Sequence, residues 1–441
     1  MNNHSKLHRL PHAVRLWRQI SVACAGLFSC AVVQAAPVDI QVWHSLSSAN
    51  RAEFEELVKQ YNKEQDSVHV SLKGFETQAA LQGEAGAAVA AKQTPNLIQL
   101  DDEHSPEVTA QHRAILPLHT LLSRNPLPDS DWFLSQTAGF TRDRQGRLLA
   151  FPWMAEVPLM FYNRDLFVKA GLDPNVPART WSELQAQLLA LRDSGVMCPY
   201  ATSKQVSVHL ENLAPVNNQL YSANNNGFGN GVPALQFNVL YARHLALMSS
   251  WTKSMLLTMH SNDQQPDDLF ASGQCGVLTS GSGAVGAFLA APGLSFGVAP
   301  LPYYPQATSN PGAPFVSGSA FWAVAGHGRD QERAVVDFLG WLAKPVNAAR
   351  WHQQTGFLPL TEAAFRASDV SYYDRIPGAQ SVVNSLSGRG AQVSRSFRLP
   401  HYAQARVLLD RELNAALQDG VPPSLALSQA ASQANSVMQR R

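Results

Sequence analysis

After its first 35 residues the chain has no apolar run long enough to cross a bilayer, which takes about 20 residues, so no later segment reads as a membrane span. Charge is scarce as well, at 15% of residues, and it forms no basic run or stripe. That excludes the electrostatic footprint of a nucleic-acid-binding protein. Cysteine is rarer still. Of four, Cys24 and Cys30 lie within the first 35 residues, leaving Cys198 and Cys275 at a spacing that makes no metal motif. The 14 histidines are scattered without zinc-ligand spacing, and His44 and His401 read as hydrogen-bonding loop residues. GxSxG, HExxH and P-loop motifs are all missing. Gly281-Ser282-Gly283-Ala284-Val285-Gly286 matches GxGxxG, but the acid that a dinucleotide site needs about 20 residues later is absent, since no Asp or Glu occurs between Gly281 and Asp330. No cofactor and no metal are therefore expected.

The first 35 residues carry Lys6, Arg9, Arg15 and Arg18 with no acid, then an apolar stretch from Ile20 to Val33, then Val33-Gln34-Ala35. This order predicts a secretory signal over residues 1–35, cleaved before Ala36, with lipidation at Cys30 as the alternative. Its removal leaves 30 basic against 33 acidic residues. In an exported chain, Cys198 and Cys275 predict one disulfide. The length of 441 residues, at roughly 100–200 residues per domain, predicts two large lobes.

Val38–Val42 alternates apolar and polar like a strand; Ala49–Gln65 carries Phe54, Leu57, Val58 and Tyr61 at helical spacing. A second strand over Val68–Leu72, an alanine-rich helix over Ala79–Lys92 and a third strand over Asn96–Leu100 complete a β-α-β-α-β order, which predicts a parallel sheet covered by helices. Ligands gather at the carboxyl ends of such strands, here Trp43-His44-Ser45, Gly74-Phe75-Glu76 and Asp101-Asp102. Farther on, Thr180-Trp181-Ser182-Glu183 is a capping box. Strands are expected over Gln274–Thr279 and Gly318–Val324, and helices over Arg333–Ala343, from Pro345 to a stop at Gly356, and over Ala403–Gln418. Two α/β lobes with several crossovers follow from this order.

Three features bear on function. In WMAEVPLMFYN (Trp153–Asn163) Glu156 interrupts an apolar run. An unpaired buried carboxylate is costly, so it reaches solvent, pairs with a cation or faces a polar cavity. The Gly281–Gly283 loop offers backbone N–H groups to anions or hydroxyls, or is a tight turn with no ligand. Arg406 sits near the start of the last predicted helix, where a cation gains nothing from the dipole. It either faces a ligand anion or pairs with Asp410 one turn on.

Trp43-His44-Ser45, Phe161-Tyr162-Asn163 with Lys169–Pro174, Leu210-Glu211-Asn212, Asn224–Phe228, Leu342–Pro345, Trp351–Gly356 and Arg406-Val407 together resemble the sn-glycerol-3-phosphate-binding subunits of ABC importers, within the maltose-binding-like extracellular solute-binding family. The resemblance runs from about Val38 to Arg440. It implies an α/β, two-lobed periplasmic-binding fold (type II), each lobe a sheet with covering helices. Residues 36–149 with about 284–335 would form lobe 1, and 150–283 with about 336–441 lobe 2. It also implies a monomer in the periplasm, doing no chemistry and passing a small solute to membrane permease subunits.

The resemblance carries ligand contacts to Phe75 or Glu76, Asp102, Glu156, Gly281 with Ser282 beside it, Gly318, Phe357 and Arg406. Several depart from the family pattern. Glu156 and Gly281 stand where serines are usual, and Phe357 where a tyrosine is. The tyrosine hydroxyl is lost at Phe75 or Glu76, and Lys204 and Ser207 replace two tryptophans. Carboxylates in such a pocket suit hydroxyls or a cationic headgroup. The expected ligand is sn-glycerol-3-phosphate or a glycerophosphodiester, with a sugar or oligosaccharide as the alternative. A glycosidase using Asp102 and Glu156 as its acid pair ranks third.

Overall fold

Strand β1 (Val38–His44) buries Ile40 and Val42 and turns Asp39 and Gln41 outward, the alternation of a half-covered strand. The helix Ser48–Glu64 then lays Phe54, Leu57, Val58 and Tyr61 onto the sheet. In chain order the other strands are β2 (Val68–Gly74), β3 (Leu97–Asp101), β4 (Ile115–Leu116), β5 (Phe151–Glu156), β6 (Pro158–Asn163), β7 (Cys198–Thr202), β8 (Leu257–Thr258), β9 (Cys275–Gly281), β10 (Phe296–Ala299) and β11 (Ser317–Val324). This computed structural model describes residues 36–102, 114–127, 140–143, 145–260, 264–382 and 396–440. The expected signal over 1–35, with Cys30, lies outside the described residues.

Two sheets result. The first runs β2-β1-β3-β11-β4, with β5 also pairing β11, and the second runs β10-β6-β9-β7-β8. Strands β1, β2 and β3 are parallel, as the β-α-β-α-β order predicts, and β11 joins β3 antiparallel. Both faces of each sheet are covered. Along β6, Leu159 and Phe161 enter one core while Met160 and Tyr162 enter the other, which explains its unbroken apolar run.

Val157 alone separates β5 on the first sheet from β6 on the second, and the chain returns between Ala299 and Ser317. Sheet membership departs from the expected division near 284 and 336. Strand β10 pairs with β6 on the second sheet, because Phe296 and Val298 complete the core around Phe161. The helix Arg329–Leu342, which spans the expected boundary, packs against β1 of the first.

Phe151, Trp153, Trp351 and Phe357 form a stack of rings, with successive centroids 5.6, 5.3 and 5.6 Å apart. Cys198 and Cys275 face each other across β7 and β9 and form a disulfide. Behind the second sheet, His209 Nδ1 lies 2.9 Å from His244 Nε2, and His244 Nδ1 lies 2.8 Å from the Tyr304 hydroxyl. Among the described residues no helix is long and apolar enough to cross a membrane.

Candidate functional site

A cavity of about 990 Å³ opens between the two sheets. The carboxyl-end positions of the parallel strands reach it as Ser45, Glu76, Asp101 and Asp102; the crossover contributes Glu156, and the end of β9 gives Ser280 and Gly281. Gly318, Phe357 and Arg406 complete the wall. Asp102, Glu156 and Arg406, far apart in sequence, thus share one hollow.

Glu156 ends β5 and is only 5% exposed. Its Oε1 accepts from Lys204 Nζ, and its Oε2 accepts from the Gly283 N–H at 3.1 Å. It therefore pairs with a cation and lines a polar cavity together. Burial alone would lower the Lys204 ammonium, but Glu156, with Asp102 and Asp267 behind it, holds it above the ordinary lysine range. Two glycines make room for the carboxylate. A Cβ at Gly281 would lie 2.3 Å from Glu156 Oε2, and one at Gly283 would lie 2.9 Å from it. Gly318 is required by its backbone, with φ at +105° and a built Cβ 2.2 Å from the Met154 carbonyl. Its own carbonyl accepts the Asp102 N–H at 2.8 Å.

Arg406 projects from the helix Tyr402–Leu417. Its Nε donates to Glu211 Oε1 at 3.3 Å, and the Tyr402 hydroxyl donates to the same oxygen at 2.6 Å. Burial and then Glu211 push the Tyr402 hydroxyl well above its usual range, so it stays a donor. Asp410, the partner expected one turn on, accepts from Gln205 Nε2 at 2.8 Å. Phe357, at the cavity end of the ring stack, presents its edge beside Gly283 and Glu156.

Two expected contacts do not reach the cavity wall. The Phe75 ring turns onto Trp43, 5.4 Å between centroids, and leaves the wall to Glu76. Ser282 is held to the crossover instead, its N–H donating to the Val157 carbonyl at 2.8 Å and its hydroxyl accepting from the Val157 N–H at 3.4 Å. Sequence reading missed Asp267, Asp268 and Arg398, which also line the cavity. Asp267 accepts from the Ser203 hydroxyl at 2.5 Å, and burial raises its carboxyl to about 6. No motif marks these three; only the folded chain brings them to the others.

The described lining holds eight acids (Glu76, Asp101, Asp102, Asp143, Glu156, Glu211, Asp267, Asp268) against three cations, Lys204, Arg398 and Arg406. Such a surface favours hydroxyls and cationic groups and tolerates limited anionic charge. Among the described residues no group of three or more His, Cys, Asp or Glu could hold a metal ion.

Comparison with known proteins places the chain by overall similarity. The sn-glycerol-3-phosphate-binding periplasmic protein UgpB of Pectobacterium atrosepticum is 29% identical over 98% of this chain and 97% of its own. Its Rhizobium meliloti counterpart is 30% identical over 96% and 98%. Among solved structures, UgpB from Mycobacterium tuberculosis in complex with glycerophosphocholine aligns with a TM-score of 0.74 at 19% identity, covering 92% of this chain and 98% of that one. Maltose-bound MalE3 of T. maritima aligns at 0.73 and 15% identity, covering 90% and 99%. These two alignments establish the two-lobed type II periplasmic-binding fold. The family profile of the bacterial extracellular solute-binding proteins matches residues 56–377, and the chain belongs to that family.

Proposed function

We propose that this protein captures a glycerophosphodiester or sn-glycerol-3-phosphate in the periplasm and delivers it, as a monomer, to the permease subunits of an ABC importer. The observation that carries this reading is the meeting of Arg406, Glu156 and Asp102 in one cavity between the two sheets. Arg406 supplies a planar fork for phosphate oxygens. Asp102 and its acidic neighbours accept hydrogen bonds from glycerol or headgroup hydroxyls. Closure of the lobes around the solute turns these contacts into a shape the permease reads. Similarity to the sn-glycerol-3-phosphate-binding proteins over nearly the whole chain supports the phosphate class.

A sugar or oligosaccharide is the second reading. It is favoured by the volume of about 990 Å³ and the excess of carboxylates, which suit several hydroxyls at once. Calorimetric titration with glycerophosphocholine, sn-glycerol-3-phosphate and maltose separates the two. Heat of binding with either glycerol phosphate, and none with maltose, is the expected result. Binding of maltose alone reverses the assignment, and turnover of a glycoside would replace both with an enzyme.

A further inference from the structure

We propose that Glu156 fills, with the protein's own carboxylate, an anion site made by the Lys204 ammonium and the Gly283 N–H, and so selects a phosphodiester over a phosphate monoester. The choice between ester classes rests on the function proposed above; the self-filled site rests on geometry alone. A carboxylate and a phosphate present similar pairs of acceptor oxygens to an ammonium and an N–H. Glu156 offers its two oxygens to those two donors, one each. The space it occupies is kept clear on the neighbouring segment, where side chains at Gly281 or Gly283 would collide with Oε2. Lys204 itself holds a left-handed backbone, φ 50°, a conformation that is unfavourable for a non-glycine residue and persists where the surroundings demand it.

The field at this end of the cavity follows from the same residues. Glu156 offsets Lys204, while Asp102 and Asp267 both act on that ammonium from nearby. A monoester dianion placed here meets three carboxylates and one ammonium already engaged. A diester brings one negative charge, which Arg406 takes, and its second alcohol turns a hydroxyl or a cation toward the acids. Removing the Glu156 carboxylate releases two donors for the extra charge of a monoester.

The test uses the mature protein with Glu156→Ser and Glu156→Ala, titrated calorimetrically near neutral pH with inorganic phosphate, sn-glycerol-3-phosphate and glycerophosphocholine. The ratio of sn-glycerol-3-phosphate to glycerophosphocholine affinity should rise by about tenfold to a hundredfold in either variant, the range of one or two charge-assisted hydrogen bonds. Inorganic phosphate should gain affinity in parallel, and adding Lys204→Met to either variant should abolish that gain. A folded variant of either kind that keeps the wild-type ratio and the wild-type response to inorganic phosphate overturns the proposal. Should neither glycerol phosphate bind any form while inorganic phosphate still gains, the self-filled site stands and the ligand class proposed above falls.

Discussion

Glu211 is 5% exposed, and its Oε1 accepts from two groups of one helix turn, Arg406 and Tyr402. Losing a partner of a buried ion pair costs about 3–5 kcal/mol, because the remaining charge stays desolvated. Arg406→Met should therefore destabilise the fold by about 3 kcal/mol, with Tyr402 still donating, and should also remove phosphate binding. Pairing it with Glu211→Leu should restore most of the stability without restoring the ligand. Urea denaturation and calorimetry on the same samples would separate the two roles, and phosphate binding that survives in Arg406→Met removes the guanidinium from the site. At this scale the sequence was informative about single charged residues and silent about which of them pair. Arg406 drew notice as a cation at an unfavourable helix position, whereas Glu211, 195 positions away, had no local signal. Glu156 stood out for the cost of burying it, but Lys204 could be joined to it only through the folded chain.

The turn after β9 shows what an element must give up to hold a charged side chain from another. Gly281 has an ordinary φ of −70°, so its lack of a side chain reflects space and not backbone freedom. Overpacking a well-filled site costs about 1–3 kcal/mol. Gly281→Ala should lower stability by that amount, and Glu156→Ala should relieve the clash, giving a non-additive double-mutant cycle by urea titration. Additive changes would place the carboxylate elsewhere. Elements with strong periodicity were legible: β1 to β3, the helices between them, and the capping box at Thr180, where Glu183 accepts from the Thr180 N–H at 3.0 Å. Strand β10, four residues long between Gly293 and Pro300, and the helix Pro423–Met438, rich in Ser, Gln and Ala, offered too little contrast and went unread. The helix at Arg329 begins four residues before the expected Arg333, because its first turn is charged and the apolar pattern starts only at Ala334.

The molecule as a whole carries buried histidines whose protonation opposes folding. Burial lowers His209 to about 3 and His44 and His352 to about 4, and takes His244 well below 6.5. The folded state refuses protons that the unfolded chain accepts below 6.5, so stability should be lost as pH falls from there toward 4. Asp267 acts the other way. Its carboxyl is raised from 3.8 to about 6, so stability tied to it returns as pH falls through that window. Four groups outweigh one. Melting temperature should drop steadily between about pH 7 and pH 5, and a flat profile would mean that these imidazoles accept protons without unfolding. Two lobes with crossovers were legible from the alternation of strands and helices and from the family resemblance. The point at which each late segment joins a sheet was not, since this depends on which core its few apolar side chains complete.

The row of rings from Phe151 through Trp153 and Trp351 to Phe357 links the interior of the first sheet to the cavity wall. Trp351 also donates its indole N–H to the Trp153 backbone carbonyl at 2.8 Å, which fixes the Trp351 indole relative to the strand beneath it. A solute that settles against Phe357 alters the surroundings of an emitting tryptophan one ring away. Tryptophan emission should change in wavelength or yield as solute is added and saturate with the calorimetric curve, and Trp351→Phe should erase most of that signal. Such a response would give the protein its own optical gauge of occupancy, readable without any attached dye.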